Sequence, residues 1–131
     1  MLFEFNELIS TNKKNTSLYS LDEGFLKGNM FKNLYDPYKN YEVKKLIPKS
    51  EKELLEYNIY KLCFAINDLN LYLDINPQDK EMYDLFKKYI EEYKKDLHEY
   101  ETKFQVINLD DDVLGKYTWI NNPWPWEVPY V

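Results

Sequence analysis

Between Ser50 and Phe104 the apolar residues of this chain recur at helical spacing. Leu55, Ile59, Leu62, Ile66, Leu69 and Leu73 follow one another at alternating steps of four and three, which places all six on one stripe of an α-helix predicted over about 51–74. Its start is marked by Ser50-Glu51-Lys52-Glu53 just after Pro48. In that pattern a Ser hydroxyl accepts from the amide three residues on, while the Glu carboxylate reaches back. A second stripe, Met82, Phe86, Tyr89, Tyr93, Leu97, Tyr100 and Phe104, predicts a helix over about 78–104. Asp74-Ile75-Asn76-Pro77 separates the two, and Asn76-Pro77 suits a helix start, with Asn as N-cap and Pro at the first position. So short a turn implies antiparallel helices, each about 36 Å long at roughly 1.5 Å per residue.

Two such helices bury only the seam between them. Leu54, Phe64, Tyr72, Tyr83, Leu85 and Ile90 lie off the stripes and need another cover. The candidates are the segment before the hairpin, the segment after it, or a second copy completing a four-helix bundle. Before it, Asn12-Lys13-Lys14-Asn15-Thr16-Ser17 reads as a mobile linker closing an N-terminal extension over 1–17. Ser20-Leu21-Asp22-Glu23 repeats the capping pattern and starts a short helix over 21–28, with Gly28 placed to stop it. Met30 to Tyr38 then reads as an extended aromatic arm, because Pro37 disfavours helical angles at Asp36.

After the hairpin, Tyr117-Thr118-Trp119-Ile120-Asn121-Asn122-Pro123-Trp124-Pro125-Trp126-Glu127-Val128-Pro129-Tyr130 has too many prolines for a helix or a central strand. It reads as a semi-rigid, polyproline-like ribbon carrying all three Trp. The expected fold is therefore all-α: a long antiparallel helical hairpin with an aromatic N-terminal arm and a Pro/Trp-rich C-terminal tail. Its divisions fall at 1–17, 18–49 and 50–131.

Charge narrows the partners. With 17 Lys against 23 acids the net charge is -6, and a mildly basic arm precedes an acidic body, so the chain lacks the basic patch that nucleic acid requires. Glu4 and Glu7, with no basic run before them, do not read as a signal peptide, and no apolar run is long enough to span a membrane. The expected location is a cytoplasm.

Catalytic chemistry is thinly represented. The one histidine, His98, has Lys95 where a helical Glu-x-x-His metal motif needs Glu, so it is read as a half-exposed, structurally neutral residue. The one cysteine, Cys63, lies between Leu62 and Phe64 and is read as a buried small hydrophobe, which also rules out an internal disulfide. Asn67, Asp68 and Asn70 interrupt an apolar stretch. Asp68 and Asn70 are read as facing water, the alternative being a buried polar contact that fixes helix register. Asp110-Asp111-Asp112 lacks the alternating ligands and Gly of a calcium loop and is read as a solvated spacer. No phosphate loop or nucleophile elbow occurs, and no cofactor, metal or catalytic residue is expected. The indoles of the tail either fold back on the hairpin, where each N–H needs a partner, or form a binding epitope.

Phe64-Ala65-Ile66-Asn67-Asp68-Leu69-Asn70-Leu71-Tyr72-Leu73-Asp74 with Asn76-Pro77, and the ending Tyr117-Thr118-Trp119 with Pro123-Trp124-Pro125-Trp126-Glu127, resemble spore coat protein JB of endospore-forming Firmicutes over about 55–127. Upstream, Leu18 to Gly28 and Phe31-Lys32-Asn33-Leu34-Tyr35-Asp36-Pro37-Tyr38 resemble the companion protein JA, over a shorter stretch and with three departures, since that pattern usually has Pro after the first Ser, Ala where Gly24 sits and an Arg near Lys27. The resemblance implies a structural adaptor of the inner spore coat, made in the mother-cell cytoplasm, whose client is a manganese-catalase-like protein of the JC type that carries the metal and the catalysis. It marks Tyr35, Pro37, Tyr38, Trp119, Pro123, Trp124, Pro125, Trp126 and Glu127 as contact residues. The competing expectation is a glycan-binding module using Trp119, Trp124 and Trp126.

Overall fold

The computed structural model describes residues 17–33, 39–108, 114–121 and 124–127. Among the described residues three α-helices stand in order: α1 (Leu21–Lys27), α2 (Glu51–Ile75) and α3 (Lys80–Lys103). The two long helices pack against each other as the predicted antiparallel hairpin, and α1 packs on α2. No strand forms among the described residues, apart from one isolated antiparallel bridge between Leu18 and Phe31. Residues 1–16 of the N-terminal extension and Asp110 to Asp112 lie outside the described residues.

The helix ends follow the sequence signals with one exception. Ser20 Oγ accepts from the Glu23 amide, and Gly28 ends α1 in the left-handed conformation at φ 71°. Ser50 Oγ likewise accepts from the Glu53 amide at 3.2 Å, while the Glu53 carboxylate reaches one residue further back than expected, to the Lys49 amide at 2.6 Å. The exception is Asn76, expected to cap α3. Its own amide and side chain donate to the Tyr72 carbonyl, so it closes α2 instead. Asp79 is the N-cap of α3, its carboxylate accepting from the Met82 amide at 3.2 Å. Residues 77 and 78 form the intervening turn, and the Tyr72 hydroxyl donates to the second Asp79 oxygen at 2.8 Å. A side chain of α2 thereby fixes the start of α3.

The seam divides into two apolar clusters. At the open end of the hairpin Leu55, Ile59 and Tyr100 pack together with Tyr93. At the turn end Ala65, Leu69 and Met82 are buried together with Met30 and Phe31, two residues from well before the hairpin. The segment expected to be an extended arm therefore contributes to the core as far as Phe31. It folds into a closed loop around α1: the Tyr19 amide donates to the Met30 carbonyl at 2.8 Å and the Lys32 amide to the Ser17 carbonyl at 3.0 Å.

The exposed-face problem posed by the sequence is thereby solved in part. Phe64 and Tyr72, off the seam, are half-buried against this segment, and Leu85 joins the same cluster, whereas Leu54 and Tyr83 stay exposed. The contrast between the helices has the same cause. α2 carries apolar residues around most of its circumference because it is flanked on one side by α3 and on another by residues 18–31, while α3 has one apolar stripe and a charged outer face.

Candidate interaction site

The tail is the first candidate. Trp119–Asn121 and Pro125–Glu127 each form one turn of 3₁₀-helix, closed by the Asn121 amide on the Thr118 carbonyl and the Glu127 amide on the Trp124 carbonyl, both at 2.9 Å. A proline at the start of such a turn has no amide to leave unsatisfied, which is why Pro125 fits where it stands. The polyproline-like ribbon expected from the prolines is thus replaced here by short turns. Glu127 locks the second one, because its carboxylate accepts the Trp124 amide at 2.8 Å.

This turn brings two indoles face to face. Trp124 and Trp126 stack with ring centroids 5.1 Å apart and planes within 5° of parallel. They are 62% and 74% exposed, so each shields one face of the other and leaves the opposite face to solvent. Trp119, in the other turn, is half-buried, while its neighbours Tyr117 and Ile120 are exposed. Of the sequence-predicted contact residues, the structure thus brings Trp124, Trp126 and Glu127 together around Pro125. Tyr35, Pro37, Tyr38 and Pro123 lie outside the described residues.

A second constellation runs along α2, and sequence reasoning missed it. The Asp68 carboxylate, read as facing water, is half-buried and accepts the Met30 amide at 2.9 Å. Lys61 is buried, and its ammonium holds Asp22 of α1 at 2.7 Å while lying 4.5 Å from the centre of the Tyr57 ring. Burial raises the Tyr57 phenol pKa, and the neighbouring Asp22 carboxylate raises it further. Phe25 meets Tyr57 and Phe64 edge-on, and Phe31 stacks on Tyr72 at 5.0 Å. The available signal was a Lys and an Asp seven residues apart inside an apolar stretch, a spacing that puts both on one side of a helix.

Cys63 departs from expectation as well. It is exposed on α2, although packing around its sulfur raises the thiol pKa against a smaller lowering by a hydrogen bond with Tyr93. Asn67, Asn70 and His98 are exposed. Among the described residues no three His, Cys, Asp or Glu side chains converge as metal ligands would, and no helix is long and apolar enough to cross a membrane.

No curated protein and no solved structure is detectably similar to the chain. Residues 52–127, from the first turn of α2 through the stacked indoles, match the CotJB protein family. That span is more than half of the 131 residues, and it takes in both the hairpin and the tail. The chain belongs to the CotJB family of spore coat proteins.

Proposed function

We propose that the protein is a non-catalytic assembly factor of the endospore coat, an adaptor that docks or stabilises a manganese-catalase-like coat protein of the JC type. In this reading it is made in the mother-cell cytoplasm and ends in the inner coat. The hairpin is the scaffold, and the Pro/Trp tail, with Tyr35, Pro37 and Tyr38 of the arm, makes the contact. The JA-like character of residues 18–49 belongs to the same reading. The observation that carries it is the exposed Trp124/Trp126 pair inside the span that matches the family. Indoles dominate the energetics of protein interfaces, and a turn already locked by Glu127 has less conformational entropy to lose on binding.

The test is co-purification with the catalase-like partner from sporulating cells. Deleting residues 117–131, or replacing both Trp124 and Trp126 with Ala in the full chain, abolishes it while far-UV helicity stays nearly intact, because α3 ends at Lys103. Retained binding by both variants places the contact on the helices instead.

The outer faces of the indole pair also suit stacking against a sugar ring, which favours a glycan-binding role as the second reading. Titrating Trp fluorescence with muropeptides separates the two. A saturable change supports the glycan role, and a flat response removes it.

A further inference from the structure

The side of α2 turned toward residues 17–33 is built like a peptide-recognition groove with its ligand in place. Lys61 reads an acidic side chain, Asp22, at 2.7 Å. Tyr57 and Phe64 receive the edge of Phe25, Asp68 accepts a backbone amide from Met30 at 2.9 Å, and Tyr72 stacks on Phe31. Every one of these reading residues comes from α2, and Met82 of α3 completes the cluster in which Met30 and Phe31 are buried.

The bound segment is equally self-contained. Its ends are joined by the two backbone bonds that flank the Leu18–Phe31 bridge, and its helix is capped by its own Ser20 and Gly28. The Asn29 side chain donates to the Phe31 carbonyl at 2.6 Å and accepts from the Phe31 amide at 2.9 Å. A segment organised by its own bonds loses less entropy on binding than a free strand of the same length. Beyond it, residues 41–49 carry no regular secondary structure and are mostly exposed.

We propose that this flank of α2 is a peptide-binding site that takes the 17–33 segment without a covalent tether, so that the same segment supplied by a second copy of the chain also occupies it. The ligand is defined by its chemistry: an acidic first helical turn, an aromatic residue three positions after the acid, a Gly-terminated turn and a Met-Phe pair. In the intact chain its own segment holds the site, since a short connection presents it at an effective concentration on the order of millimolar.

The experiment inserts a site for a sequence-specific protease between Lys45 and Leu46 of the full chain, cleaves the folded protein and passes it through gel filtration. The two pieces co-elute with unchanged helicity. A fluorescently labelled peptide of residues 17–33 then exchanges into the cleaved protein, with a rise in anisotropy, at least tenfold more readily than into the uncleaved one. Asp68→Ala weakens peptide binding at least tenfold, Asp68→Asn, which keeps an acceptor oxygen, falls between, and Leu71→Ala, exposed elsewhere on α2, leaves it unchanged. If Asp68→Ala does not fold, a peptide carrying Asp22→Ala replaces it as the probe and binds severalfold more weakly to the unaltered groove. Separation of the pieces on cleavage overturns the proposal. So does equal binding by the altered and unaltered peptides.

Discussion

The Asp68 carboxylate accepts the Met30 amide at 2.9 Å, joining two positions 38 residues apart. Met30 is fully buried, so without Asp68 its amide would face apolar neighbours with no acceptor and no water. Hydrogen bonds to charged groups contribute about 1.5–3 kcal/mol, and leaving the buried donor unmatched accounts for much of that loss. Asp68→Ala should lower stability by about that amount in urea denaturation, and Asp68→Asn by less. Equal midpoints for all three proteins would show that the bond contributes nothing.

Leu69 and Leu71 test the assignment of faces on α2. Leu69 is fully enclosed by the turn-end cluster, whereas Leu71, two residues on, is 55% exposed. Leu69→Ala should cost about 2–5 kcal/mol through lost transfer energy and the cavity left behind. Leu71→Ala should stay within about 0.5 kcal/mol of the parent, as surface changes usually do. Thermal melts of the two variants side by side measure the contrast, and similar losses would mean that the exposed face of α2 is covered in solution.

Gly24 is mid-helix, where Ala should be better by about 1 kcal/mol on propensity alone. Here a Cβ would collide with Met30 Sδ and stand 3.3 Å from Met30 Cα. The sulfur can move only by leaving the cluster it fills, and the backbone atom cannot retreat without disturbing the bond to Asp68. Gly24→Ala should therefore destabilise by about 1–3 kcal/mol despite the propensity gain. Adding Met30→Ala should make the pair markedly non-additive, since the second change removes the atom the first one meets. Chemical denaturation of the double-mutant cycle provides the measurement.

The periodic elements were legible because their signals are local. The stripes through Leu62 and Tyr93 locate both long helices within two residues at each end, and Ser20, Gly28 and Ser50 act as their residue types suggest. Asn76 misled because an Asn before Pro suits a helix end as well as a start. Here Asn76 turns back to the Tyr72 carbonyl four residues earlier, and Asp79, three residues on, supplies the acceptor for the Met82 amide, so two nearby residues share the roles that one was expected to fill. The partnership of Met30 with Asp68 and of Asp22 with Lys61 was not legible, since no periodicity connects a short loop to one side of a helix nearly 40 residues away. In the tail the three Trp were plain, but the face-to-face stacking of two depends on the turn that Glu127 closes.

Tyr100 carries the clearest dependence on pH. It is 2% exposed, and its hydroxyl donates to Glu56 at 2.7 Å. Burial raises its pKa far above the ordinary phenol range, and the hydrogen bond and negative charge of Glu56 raise it further. Burial also raises Tyr60 and Tyr89, to which the neighbouring carboxylates Glu56 and Glu92 add. A raised pKa in the folded state means that folded chains keep a proton which unfolded chains release. The stabilising effect is complete below the unfolded phenol value of about 10 and is lost as pH rises from there through the folded value. Denaturation midpoints should accordingly be flat from neutral pH to about 9 and fall steeply beyond about 10. Tyr100→Phe removes the largest contributor, so its alkaline fall should be shallower, at the cost of about 1 kcal/mol at neutral pH from the missing bond to the half-buried Glu56. In the parent, the last phenolate absorbance should appear together with the loss of helicity rather than before it. A Tyr100 that titrates freely in the folded protein would mean that the contact with Glu56 opens in solution.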